Sequence, residues 1–279
     1  MKVDRISLYT LDSGFELPSE ILEYYSRMKY GDPIATKIFA RKIAHRFQKL
    51  VTHEGDPILP NRFLVSSAAY GSIPTAAHSL TRDVLRLMRN KGLDIKLLKI
   101  KRDKSIGLDD YARLGVFDRR ALLNERKLFI SPLKNEMIKG HPLIIIDDLF
   151  ATGSHESAIL KLLDKVDGIK RIIFLYVIKF GDDLGRLNPM MESKVNSYSI
   201  QSFGDYVSLF EKVKLEPYLN VRVVKFLLSE GSKNKNLFKR FLKSRSSGFR
   251  FSLYSAAMSD DMGRTRPNYQ SSINLVKDL

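Results

Sequence analysis

Apolar residues first recur at helical spacing close to the start of the chain, where Ile21, Leu22, Tyr25 and Met28 share one face of residues 19–30 behind a Pro18-Ser19 start signal. A second helix is predicted directly after it. Asp32 is placed to cap that helix and Pro33 suits its first position, while Ile38, Phe39, Ile43, Phe47 and Leu50 form an apolar stripe that ends before Pro57 and Pro60. From there strands and helices alternate. Residues 63–66, 95–100, 142–146 and 171–178 read as strands; residues 75–89, and a segment carrying Ala158, Ile159, Leu162, Leu163 and Val166, read as helices. The strands are continuous apolar runs, which predicts burial on both faces. Strands of that kind separated by helices predict an α/β fold, a parallel sheet covered by helices. Residues 101–139 are charged, weakly periodic and longer than an ordinary connection, so they are expected to be functional or mobile.

Beyond residue 204 the pattern changes to short helices and loops, and the chain divides on paper into residues 1–204 and a helical extension, residues 205–279. Within the extension, residues 233–244 set Leu237, Phe238, Phe241 and Leu242 against Lys235, Lys239, Arg240 and Lys243, a basic amphipathic helix. Residues 258–279 have no clear period and read as a tail or an ordered arm. One sizeable domain with an appendage is expected from 279 residues. A composition 44% apolar and 28% charged is that of a folded globular protein. The absence of cysteine excludes a disulfide scaffold, a thiolate zinc site and a cysteine nucleophile, and is compatible with the cytosol. The first 18 residues carry Lys2, Asp4, Arg5 and Asp12 where a signal peptide would be apolar, and the longest apolar run is far too short to span a bilayer. A cytoplasmic protein with no membrane partner is expected.

Charge alters this picture. Lys and Arg number 47 against 31 acids, a net charge of +16, which implies a polyanionic partner. Residues 222–250 alone hold nine Lys or Arg against the single acid Glu230, a net of +8.

The chemistry is concentrated at Asp147-Asp148-Leu149-Phe150-Ala151-Thr152-Gly153-Ser154-His155. A buried strand ends in two adjacent carboxylates, and the chain then turns through small hydroxyl-bearing residues into a helix. Free amides at such a helix start, the hydroxyls of Thr152 and Ser154, and the positive end of the helix dipole converge where a phosphate would sit. Carboxylates accept hydrogen bonds from a sugar diol. A ligand with a phosphate close to a vicinal diol would satisfy both ends of the segment at the carboxyl ends of parallel strands. Competing chemistries have less support. No two glycines stand at i and i+2, no Gly-Lys-Ser/Thr loop occurs, and His45, His53, His78, His141 and His155 include no i, i+4 metal pair. The first four read as surface or packing residues.

The segment resembles the phosphoribosyl pyrophosphate (PRPP) loop of type I phosphoribosyltransferases: four apolar residues, two acids, two variable residues, then Ala-Thr-Gly-Gly-Thr. Residues 143–146, Asp147, Asp148 and Ala151-Thr152-Gly153 follow it, while Ser154 and His155 replace the usual Gly and Thr. His155, followed by Glu156, resembles a divergent branch seen in bacterial stress and conflict gene clusters. The resemblance covers residues 32–200. It implies the type I fold, a five-stranded parallel sheet with a variable hood, here followed by the basic C-terminal extension. It also implies ribose binding by Asp147 and Asp148, and 5-phosphate binding by Ala151, Thr152, Gly153, Ser154 and His155. Residues Ser67, Ala68, Ala69, Tyr70 and Gly71, in a loop between strand and helix, occupy the family's pyrophosphate position, and Lys101 and Arg102, in a basic run with Lys99 and Lys104, its mobile loop.

The expected activity is transfer of a 5-phosphoribosyl group from PRPP to a nitrogenous acceptor with loss of pyrophosphate. Magnesium rides on the substrate, so no metal is held by the protein directly, and a homo-oligomer is compatible with the family. Neither acceptor nor general base can be read. The alternative is a PRPP sensor or antiviral conflict protein on the same fold, contacting RNA or DNA through Lys235, Lys239, Arg240, Lys243 and Arg245. Phe238, Phe241, Phe249 and Phe251 are interleaved with these cations as in a stacking surface, or pack the helix on its own domain.

Overall fold

The computed structural model describes residues 2–12, 17–51, 62–102, 128–131, 138–181, 184 and 188–279. Pro57, Pro60, His53, Lys104 and most of residues 101–139 lie outside them. The strands are β1 (Lys2–Leu11), β2 (Arg62–Ser67), β3 (Asp94–Leu97), β4 (Lys101–Arg102), β5 (Leu128–Phe129), β6 (Leu143–Phe150) and β7 (Arg171–Phe180). Five of them make one fully parallel sheet in the order β1-β7-β6-β2-β3. A separate two-stranded ladder joins β4 to β5.

The apolar runs behave as two-faced strands. Along β6, Ile144 and Ile146 enter one core while Leu143 and Ile145 enter another. Along β7, Ile173, Leu175 and Val177 go one way, and Ile172, Phe174 and Tyr176 the other, as the period of two requires. The first core is closed by α1 (Ser19–Lys29), α2 (Pro33–Val51) and α3 (Ala76–Arg89), with Phe47 edge-on to Phe63 at 5.2 Å. The second is closed by α4 (Ser154–Leu163) through Ile159 and Leu163. Asp32 caps α2 as expected: its carboxylate accepts the Ile34 amide at 2.7 Å and Arg27 Nε at 2.8 Å.

One strand has no warning in the periodicity. β1 is the sheet edge beyond β7, and its polar residues have partners distant in sequence: Asp4 pairs with Arg171 at 2.7 Å and Arg5 with Glu156. Short-range pattern cannot report such partners. The expected strand at residues 95–100 ends earlier, at Leu97, while the strand expected to stop at residue 146 runs on through both acids to Phe150.

After β7 come α5 (Pro189–Asn196), α6 (Phe203–Val213), α7 (Val221–Lys233), α8 (Lys235–Lys243), α9 (Ser247–Ser259), α10 (Met262–Thr265), a 3-10 turn (Pro267–Tyr269) and α11 (Gln270–Lys277). Residues 258–279 are therefore largely helical, and residue 204 falls inside α6. The helices from α6 onward bury a third core that also takes in Tyr30 and Ile73 from the sheet domain. The junction depends on Gly31. Its φ of +83° lies in the left-handed region, a Cβ there would collide with the Tyr218 carbonyl oxygen, and its own carbonyl accepts the Tyr218 amide at 2.8 Å. Among the described residues no helix is long and apolar enough to cross a membrane.

Candidate functional site: a cavity between sheet and C-terminal helices

The carboxyl ends of β2 and β6 open into a cavity of about 410 Å³. Asp147 and Asp148 sit at its floor, 6% and 7% exposed. Two adjacent buried carboxylates repel each other and lose hydration, so each needs a partner. Asp147 accepts the Asp148 amide at 2.8 Å and lies 3.8 Å from His155 Nδ1. Burial raises the Asp147 carboxyl above its ordinary range, His155 opposes that rise, and the Asp148 charge adds to it. Asp148 meets Lys29 Nζ, the last residue of α1, at 2.6 Å.

Past the acids the chain turns at Gly153, whose φ of +70° is the left-handed conformation that lets residues 151–153 swing into α4. Thr152 and Ser154 hydroxyls lie 2.9 Å apart beside the first amides of that helix, and Ala151, Thr152, Gly153, Ser154 and His155 all border the cavity. Glu156, in the same first turn, would repel an anion if its charge were unopposed. Arg5 Nε reaches both of its oxygens, at 2.8 and 3.0 Å, and the Tyr176 hydroxyl donates to it at 2.9 Å. Burial and Glu156 push that hydroxyl far above its ordinary value, so it remains a donor.

On the β2 side, Ala68, Ala69, Tyr70, Gly71 and Arg102 reach the cavity. Ser67 and Lys101 are not brought to it. The Ser67 hydroxyl donates to the Ala68 carbonyl at 3.1 Å, and Lys101 is exposed with its ammonium 5.9 Å from the Phe129 ring. Arg102 is held in place because its amide donates to the Tyr70 carbonyl at 2.9 Å. Beneath Tyr70, burial and the nearby Arg82 and Lys99 lower His78 to about 4, so it is neutral at physiological pH.

The opposite wall is absent from any local motif. Glu192 and Ser193 of α5, Arg222, Lys225, Phe226, Ser229 and Glu230 of α7, and Tyr269 close the cavity, with Lys29 between the walls. Asn220 fixes the start of α7 by accepting the Val223 amide at 3.0 Å and donating to the Lys29 carbonyl at 3.2 Å; Val221 donates to the Pro74 carbonyl at 2.8 Å. Arg222 and Lys225 counted in the sequence only as part of a basic segment. Nothing short of the folded chain separates them from the cations that follow.

Those later cations lie elsewhere. Lys235, Lys239, Arg240 and Lys243 are exposed on α8, and Arg245 stacks over Phe241 at 5.1 Å. The interleaved rings are no stacking surface: Phe238, Phe241 and Phe249 are buried in the third core, and Phe251 alone of the four is exposed, at 71%. Helical period three to four sorts rings inward and cations outward.

No curated protein matches the chain. Among solved structures it is similar to an asparagine mutant from an analysis of an invariant aspartic acid in HPRTs, with 12% identity and TM-score 0.35 over 52% of this chain and 65% of that one. It is similar also to a point mutant of the Trypanosoma cruzi hypoxanthine phosphoribosyltransferase complexed with the product IMP, with 11% identity and TM-score 0.35 over 52% and 64%. A Bacillus anthracis hypoxanthine-guanine phosphoribosyltransferase gives 14% identity and TM-score 0.32 over 59% and 69%. The chain thus covers a little less than two thirds of the first two. The family whose description is PRTase ComF-like, PRTase standing for phosphoribosyltransferase, matches over residues 3–276, nearly the whole chain with the strand order and acid pair described above, and this chain belongs to that family.

Proposed function

We propose that the protein transfers a 5-phosphoribosyl group from PRPP to a nitrogenous acceptor and releases pyrophosphate. The observation that carries this reading is the cavity in which the acid pair, the α4 start and the 68–71 loop meet. Asp147 and Asp148 accept the two ribose hydroxyls. The amides and hydroxyls of residues 151–155 take the 5-phosphate, with Glu156 kept from repelling it by Arg5. When the bond from C1 to the pyrophosphate oxygen breaks, its electron pair leaves with pyrophosphate and positive charge spreads over the ribose ring. The acceptor nitrogen forms the new bond to C1 and then loses its proton. In this reading the amides of residues 69–71 and the Arg102 guanidinium stabilise the departing charge, the Ala68 amide being engaged by the Ile146 carbonyl, and the acids stabilise the ring.

Magnesium enters with PRPP in this reading. Carried on the substrate rather than on a protein ligand, it would offset pyrophosphate charge near the two carboxylates at the cavity floor. The sheet and the helices up to α5 supply the PRPP-handling machinery, and the helices from α6 onward close over it. The test is thermal unfolding with magnesium-PRPP. At a hundredfold excess over its dissociation constant the ligand should add about 2.7 kcal/mol of stability. A melting temperature that does not move would sink the proposal.

The exposed cations of α8 favour a second reading, a PRPP-sensing regulator or defence protein that contacts RNA or DNA. Its support is phosphate attraction alone, since three of the four rings are buried.

A further inference from the structure

A helix laid on a sheet turns its apolar stripe inward and sends its other side chains out to water. On α2 the outward positions are Arg41, Lys42, His45, Arg46 and Lys49, all exposed, and no acid occurs anywhere between Pro33 and Val51. On α3 they are Arg82, Arg86 and Arg89, followed by the exposed Lys91. The two helices lie side by side over the first core, and Lys91 donates to the Gln48 side chain across the seam. Their outer faces therefore make one surface carrying eight Lys or Arg. Asp83 is the single acid of α3, and it is buried, held by Arg86 at 2.9 Å and by the Tyr218 hydroxyl at 3.4 Å. None of the eight cations borders the cavity, so this surface is independent of the phosphoribosyl reading.

A face that is merely solvated mixes its signs, as α1 does beside α2: Glu20 and Glu23 are exposed there, and Glu23 pairs with Arg27 at 3.2 Å. The α2–α3 face instead sets like charges at i, i+4, as in Lys42 with Arg46 and Arg82 with Arg86, and these repel. A polyanion laid across the face relieves that repulsion. Arg41 and Lys49 stand about 12 Å apart along α2, and a duplex carries about seven phosphates over such a length, one per roughly 1.7 Å of axis. Five of the eight cations are arginines, whose planar forks hold phosphate through paired bonds. A membrane or a single strand asks for more than charge: the first for apolar side chains that enter the acyl boundary, the second for rings on which bases stack. Among the described residues of α2 and α3 the exposed large apolar side chain is Ile34 alone, at the far end of α2, while Phe39 and Phe47 are buried. We infer that the α2–α3 face binds the phosphate backbone of double-stranded nucleic acid, without regard to sequence.

The probe is a labelled duplex of arbitrary sequence, offered as DNA and as RNA and followed by fluorescence anisotropy. Wild-type affinity should fall about a hundredfold or more between about 50 and 200 mM salt, the slope of four phosphate contacts at about 0.9 each. In R41Q/R46Q/R82Q, which removes three exposed cations that hold no ion pair among the described residues, the slope should flatten by about two to three units. Melting temperature, with and without magnesium-PRPP, should stay at its wild-type value, so the loss is not one of folding. Five outcomes overturn the inference: no binding of either duplex at about 50 mM salt; an unchanged slope in the triple variant; duplex binding lost in K239Q/R240Q and kept in the triple variant, which would give the contact to α8; a single strand of the same length that outcompetes the duplex; or phosphatidylserine vesicles that bind wild type and are not displaced by duplex, which would give the face to a membrane.

Discussion

The two walls of the cavity are built on opposite principles. The floor and the α4 corner come from ten consecutive residues, 147–156, whose backbone amides, turn glycine and paired acids are already neighbours before the chain folds. The facing wall draws Lys29, Glu192, Arg222, Lys225 and Tyr269 from four separate stretches: α1 and α5 pack on the first core, and Arg222, Lys225 and Tyr269 join them because the later helices bury a third core with Tyr30 and Ile73. A site element made of contiguous backbone survives wherever its strand and helix survive. One made of scattered side chains is only as good as the packing behind it, and that difference can be tested.

Phe238→Ala should have the largest effect on stability. The ring is fully buried in the third core, 6.1 Å from Phe203, and its loss should cost about 3–5 kcal/mol in chemical denaturation. If the walls are independent to the degree their construction implies, the variant should melt lower and still gain stability from magnesium-PRPP. A vanished ligand response would mean that the contiguous wall depends on the scattered one.

Asp147→Asn and Asp148→Asn act on the contiguous wall directly. Each replaces a charged acceptor by an amide, at roughly 1.5–3 kcal/mol per lost hydrogen bond, or about ten- to hundredfold in PRPP affinity by calorimetry. Asp147→Asn should fold, because removing one of two buried like charges relieves repulsion, whereas Asp148→Asn also leaves Lys29 without its 2.6 Å partner and should melt lower. Affinity of wild type should also fall on acidification from a pH above the ordinary carboxylate range, since Asp147 is raised and must be ionised to accept the diol. Variants that bind PRPP like wild type would detach the acids from the ligand.

A smaller effect belongs to His78, packed against Tyr70 of the 68–71 loop. Its value in the folded protein is about 4 against 6.5 for the free side chain, so between those values the unfolded chain binds the extra proton. Stability should therefore rise with pH from about 4 to 6.5 and be lost on acidification through that window. His78→Gln should flatten this slope in denaturant titrations at a series of pH values; an unchanged slope would assign it to other groups.

Smallest of all, Lys239→Gln with Arg240→Gln touches neither wall. PRPP binding and melting temperature should be unchanged, and any RNA or DNA affinity should lose up to about two units of salt slope, at about 0.9 per phosphate contact on duplex DNA. Lost PRPP binding would instead connect α8 to the cavity.

The amino-acid sequence by itself determined what short-range order can encode. Apolar runs specified four of the five parallel strands, Asp32-Pro33 the start of α2, and Asp147 through His155 a strand end, turn and helix start that border one cavity, because each is settled by neighbours within about a dozen residues. The tertiary structure decided the rest. It made an edge strand of residues whose charges are answered by Arg171 and Glu156. It turned Ser67 and Lys101 away from the site that Ala68 and Arg102 entered. It buried three phenylalanines that sequence spacing left equally suited to stacking on nucleic acid, and it divided one basic segment into a cavity wall at Arg222 and Lys225 and an outer face on α8. Local pattern says which residues seek burial or charge partners, whereas the partner is chosen by whichever distant surface the collapsed chain brings within a few ångströms.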